Sequence, residues 1–350
     1  MNLVDFLEDA LAARPSIRRR AAQVADHPYA TAAAVAVAAL AVSALVNWQQ
    51  ARRAERHNPP EGQFLEIEGV RLHYVERGEG EPLVLLHGNG SMIQDFESSG
   101  LVAQAAETYR VIVFDRPGYG HSQRPRGTIW SPEAQADLIH RALVELDATP
   151  AVVLGHSWGT LVATALALNH PASVKALVLA SGYFYPTARI DVLAAAGPVV
   201  PVLGDVLRHT LAPLLGRILW PGLMRKIFGP AETPRKFKQG FPKGLALRPS
   251  QLRASAAESA LMIPGASALH ARYDELTMPV AIIAGALDRL IDTDSQSARL
   301  GEDIAHSTFR SVPGAGHMVH QTATDEVMAA IEEAVKAADA GGKRKMPPAA

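Results

Sequence analysis

The hydrophobic positions of this chain follow three patterns in succession. The first is an unbroken apolar block over residues 29–46, in which nine Ala and six Val or Leu are joined only by Tyr29, Thr31 and Ser43. No Asp, Glu, Lys or Arg stands between Asp26 and Arg52, so a helix here has no charged face to turn to water. The second pattern starts near residue 63 and consists of short runs separated by turns. Residues 64–75 alternate around Glu68-Gly69, which predicts a β-hairpin over 63–77. Leu83-Val84-Leu85-Leu86, Val111-Ile112-Val113-Phe114, Ala151-Val152-Val153-Leu154, Leu177-Val178-Leu179 and Val280-Ala281-Ile282-Ile283 are continuous apolar runs, as in strands buried on both faces of a parallel sheet. Helical stretches at 131–146 and 159–169 lie between them, and 324–338 closes the pattern. Strand and helix in alternation predict a doubly wound α/β sheet. In the third pattern, between Ser181 and Val280, the alternation lapses for almost a hundred residues.

These patterns divide the chain. An arginine-containing segment (1–28) precedes an expected transmembrane helix (29–46), and a linker (47–62) carries the breakers Asn58-Pro59-Pro60-Glu61-Gly62. The α/β core takes 63–182 and 278–338, an inserted cap takes 183–277, and a tail rich in Gly, Lys, Arg and Pro (339–350) is expected to be disordered. Eighteen residues is about the minimum for a spanning helix. The six Val and Leu contribute roughly −0.3 to −0.6 kcal/mol each to insertion, about −2 to −4 in all, while Ala is nearly neutral. A cleaved signal peptide fits less well, because twenty-eight residues with several acids precede the run. Arg14, Arg18, Arg19 and Arg20 before it nearly balance Arg52, Arg53 and Arg56 after it. The expectation is a single-pass inner-membrane protein whose amino terminus leans to the cytoplasmic side, with the side of the catalytic domain left open.

Composition narrows the function. With 34 Lys and Arg against 35 Asp and Glu there is no basic surface for nucleic acid, and 48% hydrophobic residues rule against disorder. The absence of cysteine excludes a disulfide scaffold, a thiolate nucleophile and a zinc-thiolate cluster. No phosphate loop, dinucleotide fingerprint or metal-ligand spacing stands out, so no cofactor is implied.

The chemistry concentrates in Gly155-His156-Ser157-Trp158-Gly159, placed between a strand and a helix. In that context G-x-S-x-G is a nucleophile elbow, with small residues flanking a Ser presented at a helix N-terminus. His87-Gly88-Asn89-Gly90 follows another strand, and the Asn89 N–H can join the Trp158 N–H as an oxyanion hole. A Ser hydroxyl needs a base and a group to orient that base. Asp288, just past the strand 280–284, is the best-placed acid, ahead of Asp292 and Asp294. His317, in the Gly-rich loop Pro313-Gly314-Ala315-Gly316-His317, is the best-placed base, ahead of His320.

The elbow, the His-Gly-Asn-Gly loop, Phe114-Asp115-Arg116-Pro117-Gly118-Tyr119-Gly120, Gly285-Ala286-Leu287-Asp288 and Gly316-His317 together resemble the α/β-hydrolase superfamily, over about residues 63–338. The resemblance implies a mostly parallel eight-stranded sheet, Ser157, Asp288 and His317 as a triad, and Asn89 and Trp158 as oxyanion donors. It makes the Asp115–Gly120 loop a structural turn. Epoxide hydrolases and haloalkane dehalogenases share this layout but place Asp at the elbow, so Ser157 favours acyl transfer to water. The expected function is that of a serine esterase or lipase-like enzyme on a small apolar acyl substrate. A cofactor-free perhydrolase or haloperoxidase with the same triad is the alternative within the enzymes. A non-catalytic membrane-tethered binding protein on this fold is the alternative outside them.

The cap is apolar and cationic together: from 198 to 245 it carries eight Lys or Arg against Asp205 and Glu232. Two readings stand open, a lid resting on an anionic bilayer and a cap that buries its apolar face on the core. Oligomeric state is not legible.

Overall fold

The computed structural model of the chain describes residues 28–188, 197, 200 and 202–345. All but Pro28 of the arginine-containing segment, most of 189–201 at the start of the cap, and 346–350 lie outside the described residues.

Eight strands form one sheet: β1 (Gln63–Ile67), β2 (Val70–Arg77), β3 (Glu81–Leu86), β4 (Tyr109–Phe114), β5 (Ala151–His156), β6 (Val174–Ala180), β7 (Val280–Gly285) and β8 (Ser307–Val312). Their order is β1-β2-β4-β3-β5-β6-β7-β8. The hairpin β1/β2 and the pair β2/β4 are antiparallel, and every later pairing is parallel. This is the doubly wound, mostly parallel sheet that the alternating runs predict. The central strand β5 is buried at every residue, which is why its sequence shows no polar alternation.

The helices used below are α1 (Pro28–His57), α2 (Ile93–Ser99), α3 (Pro132–Glu145), α4 (Gly159–Asn169), α5 (Leu203–His209), α6 (Ala212–Phe228), α7 (Pro249–Leu269) and α8 (Thr324–Lys345), with shorter helical turns between. Ser131 caps α3 by accepting from the Ala134 N–H, and Pro132 occupies its first turn. Helices α3 and α4 cover one face of the sheet, and α2 and α8 the other. Helix α4 is buried from Gly159 to Leu168, so it needs no amphipathic pattern.

Two expected boundaries move. Helix α1 continues through the first part of the expected linker to His57, because no Pro or Gly stands between Pro28 and Pro59. Helix α8 continues past Ala338 into the expected disordered tail, where Lys175 pairs with Asp339 at 2.6 Å. The thirty residues of α1 span about 45 Å, and its apolar stretch is long enough to cross a membrane with none of it buried in the protein.

Candidate active site

The loop after β5 turns so sharply into α4 that Ser157 adopts a positive φ of 54°, an uncommon conformation for a residue with a side chain. The flanking glycines make room for the turn. A Cβ on Gly155 would lie 2.5 Å from the Gly159 carbonyl oxygen, and one on Gly159 would lie 2.2 Å from that of Leu86. The turn therefore presents Ser157 Oγ above the carboxyl end of the central strand.

His317 and Asp288 reach the same point from the ends of β8 and β7. His317 Nε2 lies 2.9 Å from Ser157 Oγ, and His317 Nδ1 lies 2.7 Å from Asp288 Oδ2. The other Asp288 oxygen accepts from the N–H groups of Leu290 and Ile291 at 2.7 and 3.0 Å. Burial pushes the Asp288 carboxyl up, but the His317 ring and these amides more than offset it and leave the group below its ordinary value. The rivals sit elsewhere. Asp292 caps an exposed turn through Ser295, Asp294 is exposed, and His320 bonds Asp95.

Asn89 lines the same cavity as Ser157, and Trp158 is the next residue along the elbow. A Cβ on Gly88 would lie 3.0 Å from Ser157 Cβ, so the His87–Gly90 loop runs alongside the elbow. Among the described residues neither the Asn89 nor the Trp158 backbone N–H donates to another protein atom. The Asn89 side chain is fixed by α7, donating to Ser255 O and Ser259 Oγ, and its Oδ1 lies 3.0 Å from the Tyr119 hydroxyl oxygen.

The sequence reading missed the group that holds this loop. Arg116 is fully buried; its Nε donates to His87 O at 2.7 Å and its Nη2 to Gly88 O at 3.0 Å. Its counter-charge is the fully buried Glu258 of α7, which also accepts from the Tyr119 hydroxyl and from Gln135. Read as a turn, the 114–120 motif gave no sign that Arg116 would find a partner 142 residues later. His87 accepts the Arg116 N–H at Nε2. Burial, then the Arg116 charge, lowers its pKa to about 4, so it stays neutral. Sequence spacing also concealed a second set, Asp95, His156 and His320, which the fold gathers within reach of one ion.

Ser157 and His317 open into a cavity of about 340 Å³ whose far wall is apolar, formed by Trp220, Leu223, Met224 and Ile227 of α6 with Phe237 and Met262. A larger cleft of about 580 Å³, lined by Glu55, His121, Arg124 and Arg248, holds none of the three catalytic candidates.

A strained serine on a strand-to-helix turn, bonded to a histidine that is bonded in turn to an aspartate, at the carboxyl edge of a mostly parallel sheet, defines a class of hydrolase fold. The family model described as alpha/beta hydrolase fold matches residues 81–324, and the chain belongs to that family. It is 24% identical to Haloalkane dehalogenase 2 of Mycobacterium tuberculosis over 79% of this chain and 95% of that one. Among solved structures it resembles the enol-lactonase from Burkholderia xenovorans LB400, with a TM-score of 0.65 and 18% identity over 78% of this chain and all of that one. A membrane phospholipase A matches with a TM-score of 0.60 and 19% identity over 95% of this chain and 99% of that one.

Proposed function

We propose that this hydrolase cleaves carboxylic esters of apolar, lipid-like acyl groups at a membrane surface. The observation that carries the reading is the unbroken line from Ser157 Oγ through His317 to Asp288 at the floor of an apolar cavity. His317 takes the Ser157 proton as Oγ attacks the acyl carbon, and Asp288 holds the ring and stabilises the imidazolium. The free N–H groups of Asn89 and Trp158 receive the oxyanion. His317 then gives its proton to the leaving alkoxide, and water releases the acyl group by the same steps.

The nucleophile speaks against the chemistry of the dehalogenase relative. Displacement of halide by a serine oxygen would leave an alkyl ether on Ser157, which water does not cleave, whereas an acyl-serine ester hydrolyses readily. The membrane half of the reading rests on α1 and α6. Leu211, Leu214, Leu215, Ile218, Leu219 and Leu223 recur at helical spacing, and all are exposed. Ser43 and Asn47 of α1 bond the carbonyl of Thr210 just before α6, which sets that apolar face at the end of the apolar stretch of α1. A bilayer crossed by α1 would receive it. The similarity in fold to a membrane phospholipase A fits this arrangement.

The test is fluorophosphonate labelling followed by a chain-length panel of p-nitrophenyl esters, with hydrogen peroxide added in a parallel series. Ser157→Ala should lose the label and several orders of magnitude in rate. Full labelling of that variant sinks the mechanism, and peracid formation outpacing hydrolysis would move the reading to perhydrolysis.

A further inference from the structure

At the floor of the same cavity three residues far apart in sequence converge: Asp95 on α2, His156 at the end of β5, and His320 three positions past His317. All three are buried, Asp95 and His156 line the cavity, and one ligand-capable atom from each lies within 4.8 Å of the other two. The Ser157–His317–Asp288 line uses none of their side chains.

Their hydrogen bonds leave the set incomplete. His156 Nε2 faces the His317 carbonyl oxygen at 3.1 Å, and a carbonyl only accepts, so the proton sits on Nε2 and Nδ1 is a bare lone pair. That Nδ1 is buried without a partner among the described residues, and so are His320 Nδ1 and Gln321 Oε1. Buried polar atoms are rarely left so, and the bare His156 Nδ1 beside a carboxylate and a second imidazole marks a place that takes a ligand. The surroundings already orient the donors as metal sites do. His156 is fixed through its far nitrogen by a backbone carbonyl. Asp95 is held by Ser91 Oγ at 2.8 Å and Gln321 Nε2 at 2.9 Å.

Two imidazoles and one carboxylate suit a borderline cation such as Zn²⁺. Bonds of ~2.0–2.2 Å set ligand atoms roughly 3 Å or slightly more apart. The Asp95 Oδ1 to His320 Nε2 separation is 3.0 Å, so that edge fits and only His156 must close in. An ion there displaces the proton from His320 Nε2 to its free Nδ1. The cavity supplies the path of entry.

We propose that Asp95, His156 and His320 bind a single Zn²⁺ ion reached through the catalytic cavity, and that its occupancy switches the enzyme off. The His156 and His317 rings lie 5.1 Å apart between centroids. A dication on His156 therefore opposes the positive charge that His317 must acquire as it takes the Ser157 proton. This inhibition rests on the function proposed above; the binding does not.

The full chain, purified in detergent and stripped with EDTA, is titrated with ZnCl₂ against a chromophoric zinc chelator. Wild type should bind saturably, and His320→Gln and Asp95→Asn should each weaken binding by roughly tenfold or more, with circular dichroism reporting their fold. Ser157→Ala and His317→Gln should bind as wild type does. His170→Ala controls for the stacked pair His140–His170. The zinc-edge X-ray absorption spectrum of wild type, which needs no variant, should show two imidazole ligands; a site on the triad would show one. Zinc should lower the rate of ester hydrolysis, EDTA should restore it, and His320→Gln should resist. Absence of saturable binding, equal binding by wild type and both ligand variants, or loss of binding in His317→Gln overturns the site. Zinc bound with the expected variant pattern to a protein that hydrolyses no ester, with or without EDTA, would instead overturn the proposed function.

Discussion

Helix α7 turns its charge inward and helix α6 turns its apolar side chains outward, although both belong to one insertion. On α7, Glu258 is fully buried and bonds Arg116, Tyr119 and Gln135, while its backbone carbonyl accepts from the Trp158 indole at 3.0 Å. Gln251 accepts from the Gly120 N–H, and Ser255 and Ser259 hold Asn89. On α6 only Pro213, Met224 and Phe228 are buried, and the opposite face is a continuous row of Leu and Ile in the open. The cap is thus bolted along one side to the loop of Asn89 and to Trp158 of the elbow, the two candidate oxyanion donors. Its other side leaves a row of large apolar side chains exposed. A lid in the sense of a freely swinging flap would have to break the buried Arg116–Glu258 ion pair at the α7 side.

The largest blow to this contrast is Glu258→Ala. It leaves the Arg116 guanidinium buried without a counter-charge, and removing one partner of such a pair costs about 3–5 kcal/mol. Ester hydrolysis should fall as well, because Arg116 holds both the His87 and Gly88 carbonyls. Urea melts and initial rates measure the two effects, and a loss below about 1 kcal/mol would mean that α7 is not fastened through this pair.

A second test uses acidity. His87 belongs to the bolted side, accepting from Arg116 and held at a pKa of about 4, well below its ordinary 6.5. As pH falls from 6.5 towards 4, the unfolded chain takes up this proton and the folded chain does not. Unfolding therefore becomes easier as pH falls, and this contribution reaches about 3 kcal/mol near pH 4. His87→Gln, which keeps an acceptor for Arg116, should flatten the dependence of stability on pH between 6.5 and 4. Urea melts across that range decide the matter; an unchanged slope would remove His87 from the account.

Much of this molecule can be read from local pattern, and the limits of that reading are physical. The sheet was legible because buried parallel strands must be continuously apolar, as in 151–154 and 280–283. The elbow was legible because its glycines answer to backbone clashes within five residues. Asp288 and His317 followed from their position after strands. Arg116–Glu258 and the Asp95, His156 and His320 set were not, because each unites residues more than 60 positions apart whose local surroundings look like ordinary turn and helix. The extent of α1 was misjudged at its end because the return of charge at Arg52 ends the apolar run without ending the helix, which continues to His57, just before Pro59. The cap remained ambiguous between core and lipid because an apolar stripe at helical spacing fits either partner.

The smallest expected effect settles which partner α6 has. Substituting Ile218 by Glu should change stability by no more than about 0.5 kcal/mol, because the side chain is exposed. Hydrolysis of a water-soluble acetate ester should also be unaffected. If the face lies in lipid, the same change should depress hydrolysis of a long-chain ester presented in vesicles, since a charge now enters the apolar boundary. The chain contains no cysteine, so a single one can be placed at will. Ile218→Cys on α6 and Ala268→Cys on an exposed position of α7 can each carry a polarity-sensitive dye. Reconstitution in liposomes should blue-shift the dye at 218 and expose it to a lipid-borne quencher, while the dye at 268 stays in water. Equal response at the two positions would erase the contrast between the halves of the cap and leave α1 as the sole candidate for contact with the bilayer among the described residues.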